Sequence, residues 1–445
     1  MLEKILELLE QKEFPALGAL LKEMNPADVA ELFEDLPREK MALVFRLLPK
    51  ELAAESFSYM DPDEQSVLVE AFSEKELHDV VNELYVDDMV DIIEEMPANL
   101  VKRILRHTDA ETRRSINQIL NYPKDSAGSI MTMEYVDLKR NMTVEQAFDR
   151  IRRIGVEKET VYTCYVTDSH RMLKGIVTVK DLLLAPKDEI IRNIMETNII
   201  YVSTQTDKEE VAALFSKYDF LAVPVVDNEK RLVGIVTVDD AIDVIQDEAT
   251  EDIEVMAAIT PTDRPYMQTG VFATWKKRIP WLLILMVSAT FTGSIINSFE
   301  DALAASVVLT GFIPMLMDTG GNAGSQASVS IVRGLSLGEI EYRDVWRIIW
   351  KEARVAVLCG VTLAAANFVK LLLLDRVELG VAIVVCSTLV LTVLVAKLVG
   401  CVLPIVAKRI GFDPAVMASP FITTIVDALS LLIYFQIACA VLHIG

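Results

Sequence analysis

The chain has 445 residues, of which 52% are hydrophobic, with 65 acidic and 43 basic side chains and a net charge of −22. Residues 1–270 hold 54 acidic and 30 basic side chains (net −24), whereas residues 271–445 hold 11 and 13 (net +2). An acidic half followed by an apolar, nearly neutral half excludes a nucleic-acid surface, which needs clustered Lys and Arg, and predicts a soluble part that attracts cations joined to a membrane part. Cys164, Cys359, Cys386, Cys401 and Cys439 form no CxxC pair, and His78, His107, His170 and His443 are scattered. That pattern argues for a reducing compartment and against a zinc or His-based catalytic centre. The opening MLEKILELLE reads as a charged amphipathic helix rather than a signal peptide, so the soluble half is expected in the cytoplasm.

Residues 1–130 show apolar residues at helical spacing, punctuated by Pro26, Pro37, Pro49, Pro62 and Pro97. The stretch 24–37 matches 84–97 at an offset of 60, so short helices stacking as a small superhelix are predicted. The second copy concentrates carboxylates: Asp87, Asp91 and Glu94 or Glu95 share a face, with Asp88 beside them. Like charges at i, i+4 repel by a few tenths of a kcal/mol, roughly 0.2–0.5 per pair, so this face is either solvated or a cation site.

Residues 131–246 carry a second repeat. Gly175-Ile-Val-Thr178-Val-Lys180-Asp181 matches Gly234-Ile-Val-Thr237-Val-Asp-Asp240 at an offset of 59, each a strand leading into a helix opened by Thr and Asp. Helix, two strands and helix, twice over, resemble a pair of CBS domains, α/β modules that commonly bind adenine nucleotides between copies. A helix N-terminus presents free N–H groups to phosphate. Thr178 and Asp181 are candidates to hold phosphate and ribose, with Tyr201 or Phe220 stacking on the base.

Residues 247–270 begin as the continuation of an acidic helix, with Asp247, Glu251 and Glu254 on one stripe and Glu248 and Asp252 on another. Pro261 and Pro265 are expected to end it before Trp275-Lys-Lys-Arg278, a basic and aromatic membrane boundary. Anionic lipid would repel such a helix, so it reads as one held at a pore mouth by bound cations.

Residues 271–445 predict five spans: Ile279–Phe299, Ala302–Val332, Val355–Leu374, Leu379–Ala407 and Pro414–Leu442. Basic residues crowd the loops after spans two and four, which places the soluble half inside and the C-terminus outside. In span two, Asp318, Asn322 and Gln326 form a polar stripe at i, i+4, i+8 that must face protein or water. Lys397 in span four is expected to pair with a carboxylate. In span five Ser419, Thr423 and Asp427 share a face, and Pro420 is expected to free the carbonyl of Val416. A carboxylate at that depth costs about 2.5–3.5 kcal/mol, and hard oxygen ligands on one stripe suit Mg²⁺ or Ca²⁺.

The order acidic helical domain, CBS pair, acidic helix and five spans resembles the MgtE family of magnesium channels, as do P-x-x-x-D-x-G-G-N-x-G-x-Q in span two and P-F-[IV]-T-T-x-x-D in span five. The resemblance covers nearly the whole chain. It implies a multi-domain membrane protein: a superhelical all-α N domain, tandem CBS domains, a plug helix and a five-helix transmembrane domain, paired as a homodimer with one pore on its axis. It further implies Asp427 and Thr423 as pore ligands, Asp413 at the cytoplasmic mouth, and closure by cytosolic Mg²⁺. The implied regulatory ligands are Asp88 or Asp91, Glu209, Asp219, Asp240, Asp243, Glu248, Glu251 and Asp252. ATP in the CBS pair is implied as well, with Lys180 replacing a more common Arg.

Three rival readings remain at this level. An exchanger coupled to Na⁺ or protons could use the same residues. An intramembrane aspartyl protease would fit Asp318-Thr-Gly but lacks a G-x-G-D element, and a CBS-regulated anion channel conflicts with two intramembrane carboxylates.

Overall fold

The computed structural model describes residues 2–262, 266–267, 269–417 and 419–443, and excludes the side chains of Asp301, Ala305 and Ser419. Pro265, expected to help end the acidic helix, lies outside the described residues. The chain divides into two compact units, Met1–Ile245 and Gln246–Gly445.

The first unit opens with ten short helices from Leu2–Glu10 to Ala110–Ile119. Proline sets their starts: Pro26 and Pro62 occupy the first turn, where no N–H is needed, and Pro37, Pro49 and Pro97 are cap residues. No helix is long enough to stand alone, and all lean on one core that includes the aromatic set Phe33, Phe45, Phe57 and Phe72.

Two three-stranded sheets follow. Asp137–Lys139 pairs parallel with Thr163–Thr167, which pairs antiparallel with Leu173–Thr178. Val202–Ser203, Ala222–Val226 and Leu232–Thr237 repeat that pattern, with Tyr165↔Ile176 answered by Pro224↔Ile235. The two copies clasp each other through their lead-in segments. Gly234 of the second copy lies against Met131 and the Thr132 carbonyl; Gly175 of the first lies against Met195 and the Glu196 carbonyl. A Cβ at either glycine would come within 2.7 Å of the methionine sulfur, so the repeated glycine is a packing requirement.

Among the described residues of the second unit four helices are long and apolar enough to cross a membrane: Val271–Ser298, Tyr342–Leu373, Leu379–Arg409 and Pro414–Leu442. A further long helix, Ile313–Ser336, carries the polar stripe and is broken off from its lead-in by a 3-10 turn at Val307–Phe312. The expected span Ala302–Val332 is therefore corrected to a helix starting eleven residues later, because hydropathy does not register the break. That glycine-rich helix packs into Leu379–Arg409 and Ser419–Leu442: a Cβ on Gly324 would meet Ile422 at 2.7 Å, and one on Gly400 would run into the Gly324 carbonyl. Small residues let the backbones close to this distance. Tyr434 donates to the carbonyl of Leu309 (2.9 Å), pinning the turn that feeds the helix.

Candidate metal and transport sites

The carboxylates of the first unit converge. In the helix Val86–Glu95 the core takes Val86, Met89, Val90, Ile92 and Ile93, which turns Asp87, Asp88 and Asp91 the other way. Glu134 Oε2 accepts from the N–H of Val86 (3.2 Å) and from Thr132 Oγ1 (2.9 Å), tying the approach to the first sheet onto the start of that helix. Carboxylate oxygens of Asp87, Glu134 and Glu159 then lie within 4.8 Å of one another. Asp87 Oδ1 and Glu159 Oε2 are shut off from solvent with no hydrogen-bond partner. On the remaining side Asp240, on the helix Val238–Met256, accepts from Thr237 Oγ1 (2.5 Å).

Burial first, then mutual repulsion, pushes these groups upward: Asp88 to about 6, with Asp239 and Glu134 acting on it. Asp91 rises to about 7 and Glu159 to about 8 by the same causes. Asp240 reaches about 7 although its bond from Thr237 pulls the other way. Asp87 is raised well above the carboxylate range by burial and by Asp240. Orphaned hard oxygens facing one another fit a small divalent cation, which would restore their ionised forms.

This geometry brings together Asp88, Asp91 and Asp240 of the expected ligands, with Asp87, Glu134, Glu159 and Asp239, which the sequence-level ligand set omits. Asp243 lies one turn beyond Asp239 and acts with it on the Tyr59 hydroxyl, which is raised mainly by burial. Glu209 and Asp219 are not brought in. They are exposed at opposite ends of the helix Lys208–Tyr218, about 15 Å apart at 1.5 Å per residue, so the two cannot share an ion within one chain.

In the second unit Asp252 Oδ2 accepts from Ser336 Oγ (3.4 Å) at the end of the glycine-rich helix. Burial raises the Asp252 pKa, and the nearby charge of Asp413 raises it further. Asp413 Oδ1 accepts from Ala415 N (2.7 Å) and so caps the 3-10 turn Pro414–Met417. Glu248 and Glu251 ride the same helix as Asp252, Glu248 within electrostatic reach of it.

Helix five begins at Ser419, which corrects the expected role of Pro420. In the first turn proline removes no helical bond, and it is the Pro420 carbonyl that accepts from Thr423 Oγ1 (2.9 Å) and Thr424 Oγ1 (3.0 Å). The side chain of Ser419 lies outside the described residues. Asp427 is half-buried two turns on, within electrostatic reach of Asp318. Asp318, Asn322 and Gln326 are all exposed on the surface of the single chain. Lys397 does not meet Asp427; its Nζ lies 3.8 Å from Glu352, both largely buried.

A cavity of about 520 Å³ beside the first CBS copy is lined by Tyr162, Thr178, Val179, Lys180, Leu183 and Leu221, among others. Thr178 and Lys180 are where expected. Asp181, Tyr201 and Phe220 do not line it. The Asp181 carboxylate is held in a capping box with Thr178, and Phe220 stacks on Tyr218 at 5.3 Å. Tyr162 supplies the aromatic wall instead.

Comparison with known proteins bears on both units. Residues 313–437 match a family described as divalent cation transporter, residues 24–125 the MgtE intracellular N domain, and residues 127–188 and 191–247 CBS domains. The chain is 39% identical over 440 residues to the magnesium transporter MgtE of Thermus thermophilus, covering 97% of this chain and 96% of that protein. It belongs to the MgtE family of magnesium transporters. The MgtE protein of Bacillus subtilis is 33% identical over 99% of this chain and 97% of its own length. A crystal structure of the cytosolic domain of the Mg²⁺ channel MgtE in complex with ATP has a TM-score of 0.53 and 38% identity, over 55% of this chain and all of that one. Within the MgtE frame, Asp318, Asn322, Gln326, Thr423 and Asp427 fall in the divalent-cation-transporter segment, and the carboxylate cluster draws on the MgtE N domain and both CBS matches.

Proposed function

We propose that this MgtE-family transporter is a Mg²⁺-selective channel, formed by two copies of the chain and closed by Mg²⁺ on its cytosolic side. One observation carries the pore reading: a stripe of Asp318, Asn322 and Gln326 is exposed at membrane depth beside a carboxylate, Asp427, that no described basic side chain neutralises. Lipid does not tolerate such a face, and a second copy across a twofold axis turns it into a water-filled path. Asp427, with Thr423 one turn away, holds the permeating ion there. Because Mg²⁺ sheds water reluctantly, the two carboxylates act on its hydration shell. An inside-negative potential of 100 mV favours entry of a divalent ion by about 4.6 kcal/mol, so no energy source is required.

Closure is a linkage effect. Cytosolic Mg²⁺ binds among Asp87, Asp88, Glu134, Glu159 and Asp240, where the carboxylates otherwise repel, and a second ion joins Asp252 to Asp413 at the mouth. Glu209, Asp219, Asp243, Glu248 and Glu251 contribute across the dimer or along the connecting helix. The contacts of Lys408 with the Leu335 carbonyl (2.9 Å) and of Arg409 with Tyr342 gather the basic loops at the end where Asp252 meets Ser336. That end is cytoplasmic and the C-terminus lies outside. ATP occupies the cavity at Thr178 and Lys180.

The test is Mg²⁺ entry into liposomes at low and high internal Mg²⁺. Asp427→Ala is expected to abolish entry, and Asp87→Asn with Glu159→Gln to blunt shut-off by internal Mg²⁺. Unitary currents support the channel, whereas strict coupling to Na⁺ or protons establishes the exchanger. Full flux through Asp427→Ala ends the pore assignment.

A further inference from the structure

The third membrane helix, Val345–Leu373, enters the membrane unit with a concentration of cations that its own chain neutralises only in part, Glu341 holding Arg343 at 2.8 Å. Trp346, Arg347, Trp350, Lys351 and Arg354 are all exposed. At 100° per residue they fall, with Arg343 just before the helix, within about 140° of its circumference. The side opposite carries the buried Ile348 and Ala356. Arg347 sits in the first helical turn, where the macrodipole opposes a cation. Its contact with Asp344 is loose (3.7 Å) and its side chain is 88% exposed. Among the described residues no carboxylate pairs with Lys351 or Arg354, and the Arg354 guanidinium lies 5.8 Å over the ring of Trp350. Further along the same arc the exposed side chains become Val357, Leu358 and Val361.

The order along this face is therefore cation, indole, then aliphatic, which is the polarity profile of one phospholipid molecule from phosphate to acyl chain. We propose that it binds an anionic glycerophospholipid of the adjoining leaflet, with the headgroup against Arg347, Lys351 and Arg354 and an acyl chain along Leu358 and Val361. A soluble acidic partner matches the cations but not the aliphatic continuation, and a second copy of this face would set cations against cations. The assignment is independent of the transport mechanism.

The chain has four tryptophans, Trp275, Trp281, Trp346 and Trp350. In the full-length protein carrying Trp275→Phe and Trp281→Phe, fluorescence then reports on this face alone. Liposomes containing brominated phosphatidylglycerol or brominated phosphatidylcholine supply the quencher. Phosphatidylglycerol is expected to quench at several-fold lower mole fraction, since each basic residue near an anionic headgroup favours it by roughly fivefold. Arg347→Gln with Lys351→Gln and Arg354→Gln should bring the ratio to about one, while Arg347→Lys with Arg354→Lys should retain it. High salt should erase the preference without any substitution, which keeps the test decisive if the Gln variant does not fold. Equal quenching by both lipids, quenching by neither, or a preference indifferent to salt overturns the proposal; quenching by neither would mean that protein covers the face.

Discussion

Two intramembrane charges in this chain have opposite local settings, and the difference is measurable. Lys397 is matched by Glu352 at 3.8 Å, so removing either leaves a buried, uncompensated charge. Lys397→Met is expected to destabilise the membrane unit by about 3–5 kcal/mol, and Lys397→Met with Glu352→Leu to recover most of it. Thermal unfolding in detergent would show this as a large drop in Tm for the single variant and a small one for the double. Equal drops would mean the pair is not coupled. Asp427 has no such counter-charge among the described residues, so Asp427→Asn should leave Tm unchanged or higher while removing transport. Gly400 makes a third case: its Cβ would strike the Gly324 backbone, which cannot swing aside as a side chain would. Gly400→Val is therefore expected to separate the fourth helix from the glycine-rich helix and to abolish assembly, read by gel filtration.

At the scale of elements, the contact between the helix Val86–Glu95 and the CBS pair is controlled by charge. Its carboxylates have folded-state pKa values above their ordinary ones, about 6 for Asp88, 7 for Asp91 and Asp240, and 8 for Glu159. A raised carboxylate pKa means the contact is most stable when the group is protonated, and stability is lost as pH rises through the folded value. Without Mg²⁺ the contact is thus expected to loosen progressively from about pH 4, the ordinary carboxylate range, up to about pH 8. Millimolar Mg²⁺ should abolish that dependence by replacing protons as the counter-charge. Hydrogen exchange of residues 86–95 at pH 5.5 and 8.5, with and without Mg²⁺, reads it directly, and the largest increase belongs to pH 8.5 without the metal. Glu159→Gln should flatten the pH response and lower the affinity for Mg²⁺ together, since the same oxygen serves both.

For the molecule as a whole, the proposed second copy would cover the exposed polar stripe of the glycine-rich helix. In a chain with its five cysteines replaced, Asn322→Cys is expected to form a crosslinked dimer on mild oxidation, and Leu358→Cys on the exposed arc of the third membrane helix is not. Crosslinking through Leu358 in place of Asn322 would overturn the proposed twofold axis and with it the proposed pore.

The repeats and the membrane motifs are local in the chain, and they were legible without coordinates. Helix ends were not. The first and third membrane helices start at Val271 and Val345, eight and ten residues before their apolar stretches, because a helix continues through Trp and Arg that a bilayer-length window leaves out. The second was misplaced for the converse reason, since Ser306 to Phe312 reads as part of an apolar run but turns as a 3-10 segment before the helix starts. Pro420 was read as a defect inside a helix and is a first-turn residue instead.

Sequence alone determined what must be compensated: an acidic half, a polar stripe and a carboxylate among apolar residues, and a lysine in the fourth span. Those follow from composition and spacing, because the cost of burying charge does not depend on which partner relieves it. Only the tertiary structure decided the partners. Glu134 and Glu159 are isolated residues on loops with no periodic signal, and they became members of the carboxylate cluster because the helix Val86–Glu95 packs against the lead-in to the first sheet. Lys397 found Glu352 and not Asp427 for the same reason: electrostatic pairing is set by distance in space, which chain order does not encode.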